Sequence, residues 1–291
     1  MIAIILCFVL IAFPQRALSG AGLGLELCLK AVVPSLLPFM IVSSMAVSCG
    51  WGAKLGRVLS VVLKPLFGID GPAAMCLTTG LLGGYPCGAR TVAQCVDNGT
   101  MSIKAAERAL AFCNNSGPLF IIGTAGAAVY GSTRLGMLLY VCHIIGALTA
   151  AAFFGRGAAS SEIQIKKAPK QSLGTLAGNA ARESGIAIIS VCAMVITFSA
   201  LIEALELYRF PVLTGLLEVS RGVKELGSMG VAGLPLSAAC LSWGGLSVHF
   251  QTEAVCGGIS KKYYYIGKII SAVSSGIAMF ICVKCFNLSI L

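Results

Sequence analysis

GGYPCGAR, residues 83–90, interrupts an apolar run long enough to enter a bilayer, and its reading decides the fold. Its glycines free the backbone from helical dihedrals and Pro86 lacks an N–H donor, so the run breaks a helix. Hydrocarbon holds no water to hydrogen-bond the released N–H and C=O groups. Unwound backbone survives there only where protein, a cavity or a ligand satisfies it. The run therefore predicts a broken helix that lines a site.

The bilayer itself follows from composition. Of 291 residues, 57% are hydrophobic and 11% charged, with a mean hydropathy of +0.91, values foreign to soluble globular domains. Stretches without Asp, Glu, Lys or Arg run over 1–15, 31–53, 71–89, 109–133, 135–155, 184–202, 226–252 and 269–283. A hydrocarbon core of ~30 Å needs about 20 helical residues. These stretches predict an all-α, polytopic membrane protein of about eight segments, several of them broken or re-entrant at internal Gly, Pro and Asn.

The formal net charge of +10 lies between apolar segments, with no aromatic-interleaved basic patch. That distribution fits membrane topology and excludes nucleic acid as a partner. Arg156, Lys166, Lys167, Lys170 and Arg182 face one acid, Glu162, which places this connection in the cytoplasm. Lys54, Arg57 and Lys64 form a second basic cluster, whose side depends on the number of crossings. The N-terminal apolar stretch reads as a retained anchor, because no basic residue precedes it and Arg16 occupies the region a signal peptidase would need uncharged. Thirteen cysteines are scattered through apolar sequence, where a thiol behaves as a small hydrophobe. Cys282 and Cys285 alone have redox or zinc spacing, and no second pair or nearby His completes a site. No metal or cofactor is expected.

Internal repetition organises the chain. GGYPCGARTVAQCV from Gly83 aligns with GGLSVHFQTEAVCG from Gly244 at five of fourteen positions. Upstream of each lies an apolar segment, centred on Leu37-Pro38-Phe39 and on Ile196-Thr197-Phe198. The expected division is a first repeat with its anchor helix over 1–155, a basic linker over 156–183, and a second repeat over 184–291. Secondary transporters are commonly built from such repeats, with substrate held near the midplane where broken helices meet.

Four clusters carry candidate binding residues. In the first, Gly84, Tyr85, Pro86 and Gly88 shape the break and Arg90 follows it; an intramembrane Arg faces protein or water and often an anion. The second, Asn114, Asn115, Ser116 and Gly117 before Pro118, places donors and acceptors beside a potential helix N-terminus. The third, SWGGLSVHFQ, offers Ser242, Gly244, Gly245, Ser247, His249 and Gln251, with imidazole able to carry a proton or to serve as a structural hydrogen bond. The fourth is Glu218 in TGLLEVSRGVKEL, a site acid or one half of an interfacial ion pair with Arg221 or Lys224.

At these residues the chain resembles the YlbJ-type sporulation integral membrane proteins, within the nucleoside-recognition, or gate-domain, group related to concentrative nucleoside transporters. VVPSLLPFMIVSSM, GGYPCGAR, FCNNSGPLFIIG, GLLEVSRGVKEL and SWGGLSVHFQ carry the resemblance, in the family's order. Its first motif, Gly-Tyr-Pro-x-Gly-Ala plus a basic residue, maps onto Gly84, Tyr85, Pro86, Gly88, Ala89 and Arg90. Relatives often have Lys where this chain has Arg90, whose planar fork suits carboxylate.

The resemblance implies movement of dipicolinic acid, pyridine-2,6-dicarboxylate, toward the forespore, and so a multi-pass protein of the cell membrane or outer forespore membrane. It also allows a homo-oligomer. Arg90, the Asn115 cluster and the broken backbones are compatible with a planar dianion. A nucleoside or another organic anion is chemically similar enough to compete. A non-transporting role in spore-envelope or cortex assembly is the alternative of a different class. An intramembrane enzyme using Cys113 and His143 lacks an orienting third group, so the chain is not expected to be an enzyme. No G-x-x-x-x-G-K-[ST] run is present, which leaves transport gradient-driven. Glu203, Glu218 and Glu253 are the acids near apolar segments that could serve ion coupling.

Overall fold

A computed structural model describes residues 2–49, 51–158 and 172–286. Every regular element among them is helical: α1 (Ile2–Ala12), α2 (Pro14–Leu27), a π turn (Cys28–Val32), α3 (Val33–Ser48), α4 (Trp51–Phe67), α5 (Gly71–Gly83), α6 (Cys87–Asp97) and α7 (Ile103–Cys113). A π-helical segment (Leu119–Val129), α8 (Thr133–Phe154), α9 (Leu173–Ala204), α10 (Pro211–Leu217), α11 (Val219–Gly227), α12 (Leu234–Trp243), α13 (Gly245–Val255) and α14 (Lys262–Cys285) follow, with short 3-10 turns between. The all-α polytopic reading holds.

The number of full crossings is smaller than the number of apolar stretches. Five helical runs are long and apolar enough to span: Pro14–Ala46, Thr133–Gly157, Leu173–Ala204, Gly230–Val255 and Lys262–Cys285. The pair Lys54–Phe67 and Gly71–Gly83, bent by 105°, raises this to six if counted as one span. The remaining apolar stretches are cut short. α1, α7 and the π-helical segment have 11 residues each and α5 has 13; at 1.5 Å per residue such helices reach roughly 16–20 Å, about half the hydrocarbon core.

Local sequence explains where the helices begin and stop. Ser102, Ser132 and Ser172 cap α7, α8 and α9 by accepting from the N–H three residues on, at 3.2–3.3 Å. Pro14, Pro72 and Pro211 sit in first turns, where a missing N–H costs nothing. Within the expected linker, Lys166, Lys167, Lys170 and Glu162 lie outside the described residues, and α9 begins at Leu173.

Close packing relies on residues with no side chain to interfere, as is usual between membrane helices. α8 and α14 lie together at Gly146, where a Cβ would stand 2.5 Å from the Ser271 carbonyl oxygen. α2 and α9 lie together at Gly20 and Gly24, each within 2.9 Å of α9 main-chain atoms by the same measure. Buried apolar residues then form three clusters. One centres on Leu77, Phe112 and Tyr264, one on Phe120, Leu139 and Met279, and the third joins Cys28, Val32 and Met40 to Val191 and Val195 of α9. The candidate site lies between the last two.

Candidate functional site where the broken helices meet

Four interruptions converge. Gly84 has φ +73°, and a Cβ there would stand 2.9 Å from the Gly117 nitrogen, so the first break lies directly on the second. Gly244 has φ +92° and would meet the Tyr85 hydroxyl at 2.9 Å. Gly245, at φ +80°, would meet the Leu217 carbonyl at 3.0 Å and the Glu218 Cα at 3.2 Å. These positive φ values and contacts both require glycine. Tyr85 thus bridges the break at Gly84 and the break at Gly244.

The freed backbone is satisfied as membrane depth demands. Cys87 N–H donates to Gly84 O at 2.8 Å, and Arg90 N–H to Pro86 O at 3.0 Å. Leu241 O accepts from Tyr85 Oη at 3.4 Å and from Ser116 Oγ at 3.2 Å. Ser116 N–H donates to His143 Nε2 at 3.2 Å, while His143 Nδ1 lies 2.8 Å from Ser242 Oγ. Nε2 therefore carries no proton, and the network assigns the ring's proton to Nδ1.

Lys268 is the cation at this junction. It is 1% exposed, and its Nζ donates to Tyr85 Oη at 2.7 Å and to Asn114 O at 3.0 Å. It also lies 4.9 Å from the centre of the Tyr85 ring. None of the ion pairs among the described residues includes it. A buried ammonium held only by neutral oxygens is costly, and an ionisable side chain so placed inside a membrane marks a candidate functional site. Around it, Asn114 Nδ2 donates to Thr252 Oγ1 at 2.8 Å, and Tyr264 Oη bonds His249 Nδ1 at 2.7 Å.

Beside the junction is a small cavity of about 30 Å³. Its lining is in part apolar, with Val32, Leu36, Phe120, Val191, Val195, Val219 and Val248. The rest is Tyr85, Ser116, Gly117, Glu218, Ser220, Ser247 and Gln251. Ser247 Oγ and Gln251 Oε1 are buried without a hydrogen-bond partner. Such orphaned atoms are uncommon in folded proteins, and beside a cavity they are open to water or a ligand.

The cavity collects part of the expected set. Tyr85, Ser116, Gly117, Glu218, Ser247 and Gln251 line it, while Gly84, Gly244 and Gly245 build the junction behind it. Asn114, Ser242 and His249 belong to the supporting network. Pro86 precedes α6, and Gly88 lies under the Cys113 carbonyl. Asn115 Nδ2 turns back to Phe112 O at 2.7 Å. Arg90 is half-buried on α6 and outside the cavity lining. Glu218 does not pair with the Arg221 guanidinium; its Oε2 accepts from Arg221 N–H at 2.7 Å, capping α11.

Lys268 escaped the sequence reading, and its signal was present. It stands immediately before the charge-free stretch 269–283, so counting uncharged windows set it at the membrane edge. α14 actually starts at Lys262, which places Lys268 two turns inside. A lone Lys within an apolar helix is itself a site signal.

The fold and site define a class: a multi-pass helical membrane protein whose interrupted helices meet at a buried polar junction beside a small cavity. Residues 29–133, which hold the first two breaks, match the family model Gate, described as nucleoside recognition. The chain is also similar to the sporulation integral membrane protein YlbJ of Bacillus subtilis strain 168, 25% identical over 316 aligned positions that cover 92% of this chain and 78% of that protein. The resemblance expected from the motifs is borne out. No solved structure matches the chain.

Proposed function

We propose that the protein is a secondary transporter that carries a small organic anion, dipicolinic acid, across a membrane during spore formation. One observation carries this reading: the converging breaks enclose a cavity with two unpartnered polar atoms, backed through Tyr85 by a buried ammonium that no carboxylate neutralises. At about 30 Å³ the cavity is far below the ~300–1,000 Å³ of small-molecule sites, so the reading requires its lining elements to part before an anion is held. The valine side chains suit the flat face of a ring. The polar lining offers the Ser247 hydroxyl and an amide at Gln251 that can turn either oxygen or NH₂ inward.

The arrangement supports alternating access, because the cavity is lined both by the π turn, α3 and α9 and by the broken helices. Rocking one against the other would open it to each side in turn. The spore context comes from the name of the similar Bacillus subtilis protein. The description of the matching family model makes nucleosides the competing cargo. The deciding experiment is uptake of labelled dipicolinate beside labelled nucleosides in cells expressing this chain alone. Dipicolinate accumulation supports the reading; nucleoside accumulation replaces the cargo; uptake of neither returns the chain to an assembly role.

A further inference from the structure

Glu218 occupies the same cavity as the proposed anion. It is 1% exposed, and no ion pair among the described residues includes it. Arg221, three residues on, turns to other acids: its Nε lies 2.9 Å from Glu225 and its Nη2 2.8 Å from Glu203, while its Nη1 is buried without a hydrogen-bond partner. One guanidinium therefore stands among three carboxylates, leaving this end of the cavity negative whenever all three are ionised. Lys268 serves the other end, behind Tyr85.

The remaining titratable and charged groups on the packed elements do not change this balance. They are Lys224 on α11, exposed; Arg16 and Glu26 on α2; Cys28 on the π turn; Cys192 on α9; Tyr208 and Arg209 before α10; Cys240 on α12; and His249 on α13. Arg16 and Arg209 both pair with Glu206, Glu26 pairs with Lys30, and His249 bonds Tyr264. The π-helical segment Leu119–Val129 contributes no charged side chain. A second anion cannot enter beside an ionised, unpaired Glu218 without strong repulsion in so dry a site.

We propose, resting on the transport reading, that Glu218 is the proton carrier of the cycle and that each anion crosses with a proton. On the entry side the carboxylate takes a proton from water. As a neutral acid it donates O–H to a substrate carboxylate and no longer repels it. On the exit side the substrate leaves and Glu218 returns the proton to water. No bond of the substrate changes.

The test uses the full chain in liposomes with labelled dipicolinate at about pH 7.5, where ordinary carboxylic acids of pKa about 4 are fully ionised. An inward proton gradient at clamped membrane potential is expected to raise wild-type uptake about tenfold, the factor that a one-unit gradient gives a singly proton-coupled step. Glu218→Gln, which keeps the shape of the neutral acid but cannot titrate, is expected to lose all response of dipicolinate uptake to the gradient, while Glu218→Asp, which keeps a titratable carboxyl, is expected to retain it. Gradient-driven uptake by Glu218→Gln would overturn the proposal. Should that variant fail to fold, the wild type suffices: dipicolinate influx must acidify a lumen holding a pH dye, and influx without acidification overturns the coupling. Absence of any wild-type exchange sinks the transport reading itself, a result distinct from exchange that ignores protons.

Discussion

Two side chains at the junction give opposite mutational signatures. Lys268 supplies charge-assisted hydrogen bonds to Tyr85 and Asn114 O, and such bonds are worth about 1.5–3 kcal/mol each. Lys268→Met is therefore expected to cut dipicolinate uptake about ten- to hundredfold, with protein still present in the membrane on an immunoblot. Arg90→Ala, remote from the cavity lining, is expected to cost less in the same assay. Ser247 behaves differently because its hydroxyl is buried and unpartnered. Leaving a buried polar group unsatisfied costs about 1–3 kcal/mol, so Ser247→Ala should raise the melting temperature of the ligand-free protein. The same change should weaken substrate binding about three- to tenfold, the worth of one neutral hydrogen bond, measured as a rise in KM. A fall in both stability and affinity would instead identify a structural serine. Glu218 was legible as a candidate because an acid after apolar sequence is conspicuous. Its partners were not: Arg221 at i+3 looked like its ion-pair mate, and only the approach of Glu203 from α9 shows why the guanidinium turns away.

The broken helices are held together by absent side chains. A Cβ at Gly80 would stand 1.6 Å from the Cys113 carbonyl oxygen, and one at Gly88 would stand 1.9 Å from the same atom. Neither can be relieved by rotating a side chain. Gly80→Ala and Gly88→Ala are each expected to abolish accumulation of folded protein, judged by size-exclusion profile in detergent. Gly178→Ala in α9, where nothing lies within 4 Å, should be neutral or stabilising by about 0.5–1 kcal/mol. The contacts also pair elements in chain order: Gly80, Gly88 and Cys113 approach one another in the first half, and Gly215, Gly222 and Cys240 in the second. Sequence alignment sets Gly83-Gly84 against Gly244-Gly245, because each motif opens on a glycine pair. Identity between short motifs records composition, whereas which break lies beneath which depends on how the half-helices cross.

Across the whole molecule, length of apolar sequence proved a sound guide to membrane residence and a poor one to crossing. α8, α9 and α14 were legible because each is at least 22 residues long and mostly apolar, enough to span alone. The stretches 71–89 and 109–133 were equally apolar, yet each is divided at its glycines and prolines into half-depth pieces. A cavity between two bodies has one further consequence for the molecule as a whole: ligand should stabilise it. At a hundredfold excess over Kd a bound ligand adds about 2.7 kcal/mol to the folded state, so dipicolinate should raise the melting temperature of the detergent-solubilised protein. Ser247→Val, which takes up part of the space and removes the hydroxyl, should diminish that shift while leaving the unliganded melting temperature close to wild type or higher; an undiminished shift would place the ligand elsewhere.

At the junction itself the walls nearest to one another are main chain: Gly84 against Gly117, Gly245 against Glu218, Gly244 against the Tyr85 phenol. Alanine scanning there adds atoms instead of removing them. A defect at Gly84 or Gly244 will thus report how little room the mechanism leaves, and recognition has to be dissected from the side chains that stand one layer back.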